Sequence, residues 1–157
     1  MKKTIILFLF LLFSCTLFYE PVILYEIEPF VDKFIYEGSK RGVHINKDRI
    51  KVKFVKFEGA KSGDGENIFG RYRVRFDPRS WVQWEEDHRF YMVCHELGHA
   101  ALGRRHNDKT EWVDWADTTR FVSIMAKGKL HYTVHPTHDF FNNFYDEYMD
   151  ELFLRKY

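Results

Sequence analysis

"CHELGHAALGRRH", Cys94 to His106, is the stretch on which the reading of this chain turns. His95 and His99 stand four residues apart, with Glu96 between them. On an α-helix that spacing separates two side chains by about 40° around the axis and roughly 6 Å along it, so both imidazoles can reach one ion. Glu96 lies one step around, off that coordination direction but within reach of a water beside the ion. H-E-x-x-H is therefore a spacing of two metal ligands and a general base. The competing reading is a helix with two solvated histidines. His106 bears on the choice. On a continuous helix it would lie about 16 Å beyond His95, too far to share an ion. A helix that ends at Gly103 removes the conflict, because glycine takes the left-handed conformation that closes helices. The expected ligands are His95, His99 and His106, with Gly103 as the helix-ending turn. A carboxylate near the end of the chain, Glu147 or Glu151, is the alternative third ligand. Three imidazoles and a water suit four-coordinate zinc, and imidazole also suits copper and nickel.

Upstream, Glu85, Glu86 and Asp87 place negative charge where the positive end of a helix dipole belongs, so the helix is expected to run to Leu102. Cys94 projects about 100° away from His95 on such a helix and is expected as a small buried residue. "RIKVKFVKF" and "RYRVRF" alternate between apolar and basic residues, which predicts two strands with one buried face. Their basic faces fit strands kept soluble by charge, and "RYRVRF" is the candidate free edge along which an extended peptide could pair. The glycine-rich "EGAKSGDGENIFG" between them reads as a loop, and "DPRSW" as a turn. "EPFVDKFIYEGSKRG" predicts a helix with Pro29 in its first turn and a stop at Gly42. "NDKTEWVDWADTTRF" reads as a long connection. "DFFNNFYDEYMDELFLRK" predicts a C-terminal helix with Phe141, Phe144, Tyr145, Tyr148, Met149 and Leu152 on its apolar stripe. His131, His135 and His138 read as loop histidines near the cleft, and His44 and His88 as surface residues. The pattern is α+β: a short twisted sheet with an N-terminal, an active-site and a C-terminal helix.

The chain has 157 residues, enough for one domain. Sixteen Phe and nine Tyr are most simply core. A net charge of +1 gives no reason to expect nucleic acid as a partner. The first residues differ in kind. Lys2 and Lys3 precede an apolar run from Ile5 to Phe13, then Ser14 and Cys15, in the order of an export signal. The run is shorter than the roughly 20 residues that span a bilayer. The expected organisation is a lipoprotein-type signal peptide over 1–14, a tether over 15–25 and one domain over 26–157, with "YEPVILYE", Tyr19 to Glu26, as a short tether or edge segment. Simple cleavage and an uncleaved anchor are the other readings of the leader. With only two cysteines, a disulfide framework is not expected.

With these residues in place, the chain resembles the metzincin clan of zinc peptidases, whose signature is H-E-x-x-H-x-x-G-x-x-H. It also resembles small bacterial metallopeptidase-like lipoproteins that combine such a motif with "SIM", here Ser123 to Met125, and with a run like "YMDELF", Tyr148 to Phe153. The likeness covers roughly residues 70 to 153. It implies a small zincin-like domain, Zn2+ on His95, His99 and His106, Glu96 as general base, and Met125 as the Met-turn beneath the metal. "LFSC", Leu12 to Cys15, resembles a lipobox, which implies lipidation at Cys15 and a place in the cell envelope on a membrane. The implied activity is hydrolysis of peptide bonds in a peptide or protein substrate by a metal-bound water that Glu96 activates. A non-catalytic, zinc-stabilised, membrane-anchored binding lipoprotein is the alternative, and a cytosolic zincin is a third. The spacing here is one residue longer before the glycine than in the clan signature. An added helical residue rotates the exit by about 100°, which the turn must absorb. Neither substrate nor oligomeric state is legible.

Overall fold

The strands predicted from alternation form, and their pairing is what places the helix that carries His95 and His99. The computed structural model of the chain describes residues 23–114, 118–127 and 141–154. Strand β1 (Ile50–Phe54) and strand β3 (Arg71–Phe76) run parallel, with Ile50 opposite Tyr72 and Val52 opposite Val74. Ile50, Val52, Val74 and Phe76 point inward and are buried.

The glycine-rich segment expected as a loop contains a third strand. Strand β2 (Gly63–Ile68) pairs antiparallel with β3, and the sheet order is β1–β3–β2. This corrects the assignment of the free edge. β3 is central, bonded on both sides, and β2 is the edge strand. The reason lies in the sequence of β2, where Asp64 and Glu66 stand directly opposite Arg75 and Arg73 and pair with them across the strands. The basic face of β3 thus meets acidic partners, and cross-strand pairs of this kind each contribute some tenths of a kcal/mol.

β2 and β3 are joined through Phe69 and Gly70, both with positive φ, 50° and 81°. Two-residue hairpin turns of this kind favour Asn-Gly, and a phenylalanine in the left-handed region carries strain of about 1–2 kcal/mol. Phe69 gains nothing in return from packing, being fully exposed. Phe69→Asn is therefore expected to raise the thermal midpoint by a few degrees, corresponding to about 1 kcal/mol, measured by circular dichroism.

Helix α1 (Glu28–Lys40) carries Pro29 in its first turn and buries Val31 and Phe34. The folded body begins before it: of the two readings of this segment, tether or edge, Ile23 takes the edge one by bridging Val52 in parallel, and Ile27 is fully buried. "DPRSW" is a single helical turn, α2 (Pro78–Trp81), capped by the Asp77 carboxylate, which accepts from the Arg79 N–H at 2.8 Å. It delivers Trp81 to the centre of the core against Phe30, Phe54, Phe76 and Trp84. Helix α3 (Glu86–Leu102) lies across the inner face of the sheet. His88, expected at the surface, stacks on Trp84 with ring centroids 4.9 Å apart.

The connection after His106 is not irregular throughout. It holds a two-stranded ribbon, β4 (Thr110–Val113) with β5 (Thr118–Phe121). Arg120 ties that ribbon down, reaching Glu111 and Glu147 and lying 3.6 Å over the Phe144 ring. The C-terminal helix is interrupted at Phe144: residues 141–143 are helical, and helix α4 (Tyr145–Leu154) follows and buries Tyr148, Met149, Leu152 and Phe153. The protein is thus α+β, with sheets of three and two strands and helices packed on them. No helix among the described residues is long and apolar enough to cross a membrane. The leader with Cys15 and the segment with His131, His135 and His138 lie outside the described residues.

Candidate metal centre

Helix α3 sets His95 and His99 one turn apart on the same side, as their spacing requires. It ends at Gly103, which adopts φ 65° and ψ 22° in the left-handed region. The extra residue in the motif is absorbed there. The Gly98 carbonyl accepts from the Gly103 N–H and, at 2.9 Å, from the Arg104 N–H six residues on. This widened final turn swings the chain back along the helix and returns His106 to the other two histidines.

The three side chains meet. A ring nitrogen from each of His95, His99 and His106 lies within 4.8 Å of the other two, so that together they could hold a metal ion. His99 Nε2 and His106 Nε2 are 3.2 Å apart. Two nitrogens bound tetrahedrally to one zinc at 2.0–2.1 Å lie about 3.3–3.4 Å from each other, so this pair has the separation that a shared ion requires. A direct histidine–histidine hydrogen bond has a similar length, and the outer partners of the rings weigh between the two.

His95 Nδ1 donates to the Ile124 carbonyl at 2.8 Å, and His99 Nδ1 donates to the Arg104 carbonyl at 2.7 Å. A carbonyl can only accept, so each Nδ1 carries a proton, and in the neutral ring it is Nε2 that offers the lone pair. Ligating histidines typically make this outer bond, which fixes the tautomer and the ring plane. Partial burial of the His106 ring and the neighbouring His99 lower its pKa, the direction that favours the neutral ring a metal needs. The donor set fits a borderline-soft divalent ion.

Beneath the histidines, Met125 is fully buried, with its sulfur against Gly98 of α3. A Cβ at Gly98 would stand 2.6 Å from that sulfur. The segment from Ser123 to Met125 is therefore pressed against the helix between His95 and His99. Met125 N–H donates to Ser123 Oγ at 3.0 Å, Asn107 N–H donates to the Met125 carbonyl at 2.9 Å, and the Tyr91 hydroxyl donates to the Ile124 carbonyl at 2.9 Å. Ile124 O thus receives both Tyr91 and His95.

No family model, curated protein or solved structure matches the chain. The chemistry of the site rests on its own atoms.

Glu96 is 5% exposed. No donor among the described residues hydrogen-bonds its carboxylate, whereas buried carboxylates are ordinarily hydrogen-bonded or paired. Burial, with the Asp64 carboxylate as the next cause, pushes its pKa up to about 8. A cation on the histidines acts in the opposite direction. The Glu96 side chain lies over the edge strand, with Oε1 3.0 Å from where a Cβ at Gly63 would be. β2 is in turn pressed on the helix backbone, since a Cβ at Gly65 would stand 2.0 Å from the Glu96 carbonyl oxygen.

The alternative ligands from the C-terminal helix are not part of the cluster. Glu147 pairs with Arg120, and Glu151 is held by Arg104 and Ser123. Cys94 is buried, and its thiol pKa is raised by that burial. Gly63, Gly65, Gly98, Arg104 and Tyr91 do not stand out in the sequence, yet all shape the site. One signal was available. Glycines at 63 and 65 in "SGDGEN" have the period of a strand with one bare face, which another backbone can approach closely.

Proposed function

We propose that this chain is a metal-dependent peptidase, with zinc as the ion that its donor set suits best. One observation carries the reading: a buried carboxylate with no hydrogen-bond donor among the described residues stands next in sequence to a cluster of three histidines. A structural metal site has no use for such a carboxylate. An enzyme that moves a proton does.

When bound by His95, His99 and His106, zinc supplies Lewis acidity toward a carbonyl oxygen and lowers the pKa of water. The protein supplies the remaining parts. Glu96 accepts the proton of the attacking water and returns it to the leaving amine. Its low-dielectric surroundings strengthen both transfers by excluding competing solvent dipoles. The outer edge of β2 offers backbone groups to an extended peptide, which would lie beside Glu96 as an added strand. Attachment to the outer side of a membrane through a lipid on Cys15 is part of the same proposal, and it rests on the leader sequence.

His106→Ala tests the ligand set. The full chain is expected to hold one zinc per molecule by elemental analysis, and the variant to lose most of it at equal protein concentration. Unchanged zinc in the variant would remove His106 from the set. Zinc bound without cleavage of any peptide in a mixed library would favour the non-catalytic alternative.

A further inference from the structure

We propose that Glu151 is a positioning residue for the three-histidine site, acting through Arg104 and Ser123 on the backbone carbonyls that orient His99 and His95. The inference rests on the reading of that cluster as a metal site.

Glu151 is 3% exposed and comes from α4, an element that supplies none of the three histidines. Its Oε1 accepts from Arg104 Nη2 at 2.7 Å, and its backbone carbonyl accepts from the same Nη2 at 2.8 Å. Its Oε2 accepts from Ser123 Oγ at 2.6 Å. Each partner leads to a ligand. The Arg104 carbonyl is the acceptor for His99 Nδ1. Ser123 Oγ accepts the Met125 N–H, closing the turn whose Ile124 carbonyl is the acceptor for His95 Nδ1. Asn107, next to His106, also reaches Oε1 at 3.5 Å. One carboxylate therefore joins the loop that follows the helix to the turn beneath it.

Geometry makes this more than a buried ion pair. The widened last turn of α3 is a local departure from helical hydrogen bonding, and such a turn needs outside support to hold one conformation. Arg104, the first residue past the turn, is anchored by its side chain to Glu151 while its carbonyl fixes His99. Removal of the charge leaves the Arg104 guanidinium, itself 8% exposed, in a low-dielectric site without its counter-ion. The loop is then expected to relax toward solvent and to carry the Arg104 carbonyl and His106 with it.

The test uses the full chain with Glu151→Gln and, as a milder change, Ser123→Ala, which leaves the Arg104–Glu151 pair intact. Two quantities are read: zinc affinity by competition with a chromophoric chelator, and the visible spectrum of the cobalt-loaded protein, which reports ligand geometry. Zinc affinity is expected to fall about 10- to 100-fold in Glu151→Gln, the usual range for loss of an outer partner of metal ligands. It should fall less in Ser123→Ala, and the cobalt bands should shift in both. A purely architectural Glu151 would lower the thermal midpoint but leave native affinity and native cobalt bands in the folded variant, and that result would overturn the inference. If Glu151→Gln does not fold, native zinc affinity and bands in Ser123→Ala overturn it. A wild-type chain that binds neither zinc nor cobalt would remove the metal site itself, which separates that failure from this one.

Discussion

Glu96→Gln is expected to lower peptide hydrolysis by about 10²- to 10⁴-fold while leaving one zinc per chain, because it removes proton transfer and leaves the three histidines untouched. Glutamine keeps the shape of the side chain but has no basic oxygen. Stability should move the other way from activity. Burial raises the Glu96 pKa to about 8, which means that its ionised form is disfavoured in the fold. A neutral amide in that place carries a smaller desolvation cost. The thermal midpoint of the chelator-stripped variant is therefore expected at or above that of the wild type. Rates on a quenched-fluorescent peptide library, zinc content and melting curves of the same preparations check the three parts. Wild-type turnover in the variant would remove Glu96 as the base.

Gly65→Ala is expected to have the largest effect on stability. The added Cβ would stand 2.0 Å from the Glu96 carbonyl oxygen and 2.7 Å from its carbon. Both are backbone atoms of a buried helix, so no rotamer change relieves the clash, and strand β2 or helix α3 has to move. Overpacking typically costs about 1–3 kcal/mol, and a backbone collision belongs at or above the upper end. A loss of about 3 kcal/mol corresponds to a drop of roughly 10 °C in the thermal midpoint for a domain of this size. Gly98→Ala provides the comparison. Its Cβ would meet the Met125 sulfur at 2.6 Å and Leu152 Cδ1 at 3.1 Å, buried side-chain rather than backbone atoms, and alanine recovers about 1 kcal/mol of helix propensity. The expected order is Gly65→Ala well below Gly98→Ala in melting temperature. A Gly65→Ala protein that melts within 2 °C of wild type would show that β2 does not approach α3 this closely.

The same two residues mark the divide between what is local and what is not. Glu96 and its flanking histidines were legible because a helix has one period, and H-E-x-x-H uses it. Gly65 was not. Its glycine-rich surroundings read as a loop, and the strand forms because Asp64 and Glu66 find Arg75 and Arg73 across the hairpin. Such pairing depends on register between segments, which no single segment carries. For the same reason β3 reads as an edge in the sequence and is the central strand of the sheet.

Residue sequence alone determined the spacing of His95 and His99, the end of the helix at Gly103, and the inward faces of β1 and β3, since each follows from local backbone geometry. Tertiary structure decided the rest. It brought His106 back through a widened turn, set β2 at the edge beside Glu96, and placed Glu151 on Arg104 and Ser123 rather than among the histidines. These outcomes depend on where distant segments meet when the core closes, and a buried charge or a bare glycine face acquires its role only from the neighbour it meets there.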